Sequence, residues 1–184
     1  MSSVSFEAPC SVIHAATQSN IMLLAQGAEM IDRLGQDWYA TKAPSCFNSS
    51  AGGHFRHAIE HYRAVLGALQ SGEINYEARA RDELIESEAN HARDVIDELL
   101  EGLEKIVDDQ TQDRPLKIAS ETVEGLMLGT TLARELEFLI SHTVHHFALI
   151  AVIAGVHGVQ APVNFGLAPS TLKHQQPLAS SCAR

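Results

Sequence analysis

Four stretches of this chain repeat apolar residues at helical spacing, and none of them carries enough apolar surface to be stable alone. In residues 12–34 the stripe is Val12, Ala15, Ala16, Leu23, Met30, Ile31 and Leu34, the three- and four-residue steps of an amphipathic helix. Gly35 marks its expected stop. A second helix is expected over residues 51–69, after a loop over 37–50 that holds Pro44, Asn48 and paired serines. Gly72 lies where a helix ends in a left-handed residue. In residues 87–107 the stripe is Ala92, Val95, Ile96, Leu99, Leu103, Ile106 and Val107, and the polar run 108–111 ends it. Residues 131–156 form the most apolar segment, with Leu139, Phe147, Leu149, Ile150, Val152 and Ile153 around the whole circumference. That helix is expected to be the most buried.

The connections are polar. Tyr76, Arg79, Arg81 and Asp82 lie between the second and third helices. Residues 115–129 admit a short hairpin, because Leu116 and Ile118 alternate with polar neighbours, or an irregular crossover punctuated by Gly125 and Gly129. The crossover is the expectation retained. The tail from Gly158, with Pro162, Pro169 and Pro177, reads as a strap with a frayed end. Helices of this length bury their stripes against one another, so the expected fold is all-α, a four-helix bundle with a long crossover connection. One domain over residues 1–184 accommodates it, with an irregular tail from about 158.

Composition excludes several roles. The 184 residues carry 23 acidic and 13 basic side chains, a formal charge of −10, which disfavours nucleic acid as a partner. Residues 1–7 lack the cationic flank and apolar run of a secretory signal, and the longest apolar stretch, 147–156, is too short for a bilayer. The expectation is a soluble, cytoplasmic protein with no membrane partner. Three cysteines, Cys10, Cys46 and Cys182, are odd in number and widely spaced, so a disulfide framework or a cysteine zinc site is not expected.

The histidines carry the chemistry. His142 and His146 form His-x-x-x-His on the fourth helix, which puts two imidazoles one turn apart on one face, a spacing suited to chelating one cation. At about 100° per residue both point with Leu149 and Ile153; His145 lies at the edge of that face, and His157 is too far along the axis to join them. On the second helix His54, His57 and His61 share a face, and spacing alone does not choose among them. His14 and His157 read as core histidines satisfied by one hydrogen bond. Thr143 stands where a His-Glu-x-x-His zinc protease has its general base, which disfavours that activity.

The run Gly53-His54-Phe55-Arg56-His57-Ala58-Ile59-Glu60-His61-Tyr62, with Arg134-Glu135-Leu136 and Ser141-His142-Thr143-Val144-His145-His146 further on, resembles the DinB-like superfamily of metal-dependent proteins. That superfamily includes bacillithiol transferases, mycothiol-dependent enzymes and the N-terminal domain of ergothioneine sulfoxide synthases. The resemblance covers residues 50–158. It implies a DinB/YfiT-like four-helix bundle, commonly a homodimer, with a divalent transition metal (zinc, nickel or iron) held by His57, His142 and His146. It also implies a metal-dependent S-transferase or hydrolase acting on a small molecule with a low-molecular-weight thiol. The rival expectation is a non-catalytic metal- or small-molecule-binding member. Because ligand imidazoles must be neutral, metal loss is expected on acidification through about pH 6. His54, His61 and His145 are expected as hydrogen-bonded helix residues, ahead of residues that support the ligands or face the substrate. Tyr76, Arg79 and Arg81 read as a surface paired with Glu77, Asp82 and Glu86 ahead of a carboxylate site. Glu135 reads as a surface partner of Arg134 ahead of a group that orients a ligand.

Overall fold

In the computed structural model, which describes residues 12–108, 112–168, 171, 172 and 174, the chain is mostly helical. Helix α1 (Val12–Tyr39) buries Ile13, Ala16, Leu23, Leu24, Ile31 and Leu34 on one face. Gly35 does not end it. At φ 61° and ψ 175° it interrupts the helix, a backbone conformation that only glycine adopts without strain, and one more turn follows. That turn carries Tyr39 into the core, where its hydroxyl donates to the carbonyl of Ile85 at 2.7 Å.

Helix α2 (Ala51–Ser71) starts where Ser50 accepts the Gly53 N–H at 3.1 Å and ends at Gly72 with φ 76°, as its cap residues predict. The third predicted helix forms as Ala89–Asp108, and the polar connection ahead of it holds a further short helix that was not expected. A short α3 (Glu83–Ser87) is capped by Asp82, and Glu88, extended at φ −116° and ψ 107°, separates it from α4 (Ala89–Asp108). Helix α5 (Leu132–Val156) begins at Thr131, whose hydroxyl accepts the Arg134 N–H at 3.3 Å.

The expectation of an all-α chain with an irregular crossover needs correction. Strands β2 (Pro115–Ala119) and β3 (Met127–Thr131) form an antiparallel hairpin, with Leu116 opposite Thr130 and Ile118 opposite Leu128. A two-residue strand β1 (Glu73–Ile74) pairs parallel to β2. The alternation at Leu116 and Ile118 was therefore the stronger signal. Strand β3 runs straight into α5, so the hairpin hangs beside that helix's first turns.

The long helices α1 and α2 each pack against both α4 and α5 and touch each other little. This arrangement makes α2 and α5 neighbours, the two helices that carry the histidine motifs. A buried polar clamp fixes their register. The Tyr62 hydroxyl donates to Asn20 Oδ1 at 2.8 Å, the Thr143 hydroxyl donates to the Tyr62 oxygen at 3.1 Å, and Asn20 Nδ2 donates to the carbonyl of Leu136 at 2.9 Å. Buried polar groups need such partners, and these span α1, α2 and α5. By length and composition α5 would suit a bilayer, but here it packs against α1 and α2 and buries Glu135 and Thr143.

His14, expected in the core, is exposed. His157 stacks on Trp38 with ring centroids 4.9 Å apart, and its Nε2 is buried without a hydrogen-bond partner, against the expectation of one satisfied by a bond. Of the expected strap, Phe165 stacks on Phe147 at 4.6 Å; Pro169 and Pro177 lie outside the described residues. So do Cys10 and Cys182, while Cys46 is buried and unpaired.

Candidate metal centre

Successive turns of α2 present His54, His57 and His61 to α5, which presents His142 and His146 in return. The ring centroids of His57, His142 and His146 lie 4.9, 4.5 and 4.6 Å apart pairwise. His61 joins them, with its ring 4.5 Å from His57 and 4.0 Å from His142. His57, His61 and His142 offer ligand nitrogens that all lie within 4.8 Å of one another, and this group can hold a metal ion. His145 touches only the margin, its ring 5.1 Å from His146. His61 thus enters the cluster more deeply than a hydrogen-bonded helix residue would. The signal was available in the sequence: His57 and His61 repeat the i, i+4 spacing of His142 and His146.

Hydrogen-bond direction fixes which nitrogens carry lone pairs. The Ser49 hydroxyl donates to the carbonyl of Cys46 at 2.5 Å, so its oxygen accepts from His54 Nε2 at 3.1 Å. His54 Nδ1 must then accept from His146 Nδ1 at 3.0 Å, which leaves His146 Nε2 with its lone pair. His61 Nδ1 donates to the carbonyl of His57 at 2.7 Å, which leaves His61 Nε2 in the same state. A ligating imidazole anchored through its other nitrogen is the usual arrangement at metal sites.

Burial is the first cause of depressed basicity throughout the cluster. It pushes His57 down to about 4, helped by His61 and Arg79; His142 to about 3, helped by His61 and His57; and His146 to about 2, helped by His142 and His57. His54 and His61 are lowered as well, again chiefly by burial. The imidazoles are therefore neutral at neutral pH, the form that binds a cation.

The donor set fits a divalent ion. His57 Nε2 and His142 Nε2 are 3.1 Å apart, against about 3.3 Å for two nitrogens on a tetrahedral ion at ordinary zinc distances. His142 Nδ1 is buried without a partner, which costs the metal-free cluster about 1–3 kcal/mol. Thr143 faces the Tyr62 clamp rather than the cluster, so no base stands at that position.

Two expectations about the surroundings are corrected. Tyr76 is 4% exposed, and its hydroxyl donates to Glu135 Oε2 at 2.7 Å while its ring stacks on His61 at 4.6 Å. Arg79 is directed at His57, with Nη1 2.5 Å from its Nδ1. Only Arg81 of that trio is on the surface, since Glu86 pairs with Arg56 and Asp82 with Arg63 and His91. Glu135 does pair with Arg134, but its carboxylate lies inside the protein rather than on the surface. It is 0% exposed and accepts from Tyr76, from the Thr130 hydroxyl at 2.6 Å and from Arg134 at 2.8 Å. At about 100° per residue Glu135 falls on the same stripe of α5 as His142, and that position is the informative observation.

A cleft of about 560 Å³ lies between the hairpin and the start of α5, with Tyr76, Phe138, Arg134 and Thr130 in its wall. Phe138 stacks on His142 at 5.3 Å, and the Arg134 guanidinium sits 5.2 Å from the Phe138 ring centre. The aromatic wall of the cleft therefore backs directly onto the imidazoles.

No protein-family profile matches the chain, and no solved structure matches it. The chain is similar to FK506-binding protein 5 of Rhizopus delemar, 30% identical over 109 residues, which covers 55% of this chain and 27% of the length of that protein.

Proposed function

We propose that this chain is a DinB-like four-helix metal protein, with a divalent transition metal held by His57, His142 and His146, and that it transfers or hydrolyses a group on a small molecule with a low-molecular-weight thiol as the second substrate. One observation carries the reading: neutral imidazoles from two different helices converge with their rings in contact. The lone pair left on His146 Nε2 by the Ser49-His54 chain supports its inclusion. Nitrogen ligands suit zinc, nickel or iron. Three of them leave coordination positions open, the mark of a catalytic rather than a structural site.

Such an ion, when bound, lowers the pKa of a coordinated thiol or water into the neutral range. The chain's own residues hold the rest in place. Arg134 is 60% exposed and tied to Glu135 through Nη1, so its remaining nitrogens suit a carboxylate-bearing substrate in the cleft. Phe138 and Tyr76 supply flat apolar surfaces beside it. The buried clamp of Asn20, Tyr62 and Thr143 keeps α2 and α5 in the register that sets His57 opposite His142.

The test is metal content after incubation with zinc, nickel or ferrous iron, measured for the natural chain and for His57→Ala, His61→Ala, His142→Ala and His146→Ala. One ion per chain is expected, lost in the first, third and fourth variants and kept in His61→Ala. Loss in His61→Ala with retention in His146→Ala would move the third ligand to His61. Equal substoichiometric metal across the set would remove the proposal. Turnover of the thiol by metal-loaded protein then separates an enzyme from a binding protein.

A further inference from the structure

Arg79 stands where a metal protein should not need a cation. An arginine only donates, so its Nη1, 2.5 Å from His57 Nδ1, makes that nitrogen an acceptor. Neutral His57 then carries its hydrogen on Nε2 and donates it to His142 Nε2 at 3.1 Å. His142 in turn has its hydrogen on Nδ1, the atom that is buried without a partner. In this state neither nitrogen of the facing pair has a free lone pair: one bears a hydrogen and the other accepts it. The nearby His61 Nδ1, 3.3 Å from the same Arg79 nitrogen, already donates to the His57 carbonyl and cannot accept.

The arginine has a second place to go. Its Nε is buried without a hydrogen-bond partner and lies 4.0 Å from Oε2 of Glu60, a carboxylate that is 4% exposed. Only Oε1 of Glu60 is engaged, accepting the Asp82 N–H at 2.9 Å. A small swing of the guanidinium toward Glu60 satisfies its orphaned Nε and an underused buried carboxylate together.

We infer that Arg79 and a divalent metal compete for His57: the guanidinium locks His57 in the tautomer that cannot ligate through Nε2, and moves onto Glu60 when the ion binds. The inference rests on His57 and His142 being ligands and holds whichever histidine is the third. Ligation through Nε2 places the His57 hydrogen on Nδ1, where it faces the arginine donor, so the two states exclude each other. Arg79 is thus a positioning residue that sets the concentration at which the site fills.

Zinc titration of the natural chain and of Arg79→Met, with nitrogen-15 correlation spectra of the imidazoles before and after loading, tests this. The expected results are zinc binding at least tenfold tighter in Arg79→Met, and a His57 hydrogen on Nε2 in the metal-free natural chain that appears on Nδ1 after loading. A guanidinium acting by charge repulsion alone does not require the metal-free Nε2 form, and neither does a purely structural one. Equal or weaker binding by a folded Arg79→Met, or a His57 hydrogen already on Nδ1 before zinc is added, overturns the inference while leaving the metal site standing. Failure of both proteins to bind zinc overturns the site and the inference together. The tautomer measurement needs only the natural chain, so a variant that fails to fold does not protect the idea.

Discussion

Replacing Tyr76 with phenylalanine removes one oxygen from the interior, and its consequence follows from the surroundings of Glu135. That carboxylate has no exposed surface and three donors: Tyr76 at 2.7 Å, Thr130 at 2.6 Å and Arg134 at 2.8 Å. A hydrogen bond to a charged group contributes about 1.5–3 kcal/mol. Glu135 keeps its bonds from Thr130 and Arg134, and the new phenyl ring no longer buries a hydroxyl. Both offsets place the expected loss near the lower end, about 1.5 kcal/mol. Urea denaturation at neutral pH of the natural chain, Tyr76→Phe, Glu135→Gln and the double variant measures it. The two changes should couple by about 1 kcal/mol, because each removes half of the same bond. The ring that stacks on His61 is retained, so metal binding should not change. A Tyr76→Phe midpoint indistinguishable from the natural one, or strictly additive single effects, would show that the bond contributes nothing and that Glu135 is satisfied by other means.

Two further predictions concern pH and packing. Unfolded histidines take up protons near pH 6.5, whereas His57, His142 and His146 resist until about 4, 3 and 2. Between pH 6.5 and 4 the unfolded metal-free chain therefore binds more protons, and stability must fall as pH falls; a urea midpoint that holds steady or rises from pH 7.5 to 5 contradicts the burial of the cluster. For the loaded protein the same shift moves proton displacement of the ion below the pH 6 expected from free imidazoles. A Cβ on Gly52 would lie 2.0 Å from the backbone oxygen of Glu86 and 2.8 Å from Tyr39 Cε1, while one on Gly67 meets nothing within 4 Å. Gly52→Ala should lower the thermal midpoint by the equivalent of at least about 2 kcal/mol and Gly67→Ala raise it, since alanine favours a helix interior by about 1 kcal/mol; the opposite order in thermal melts followed by circular dichroism would show that α2 and α3 are not in contact at Gly52.

Local signals carried the helices because they act locally. Ser50, Gly72 and Thr131 cap their helices by bonding to backbone within a few residues, and periodicity marks which residues share a face. The hairpin was harder to read because β2 gains its stability from partners in β1 and β3, and residues 121–129 are exposed, apolar Val123, Leu126, Met127 and Leu128 included, so burial leaves little pattern there. The break at Gly35 was legible, but the resumed turn was not, since what stabilises it is Tyr39 reaching the carbonyl of Ile85 across the core.

From residues alone came the long helical spans, the i, i+4 pair on α5 and the three candidates on α2. Helical spacing cannot say which face meets which neighbour, because it contains no information about the other helix. The packing of α2 against α5 decided that five imidazoles share one place, that Tyr76 and Glu135 are joined inside the protein, and that Arg79 reaches His57 rather than solvent. Those contacts arise between residues 22 to 92 positions apart in the chain, and only folding brings such distant groups within bonding range.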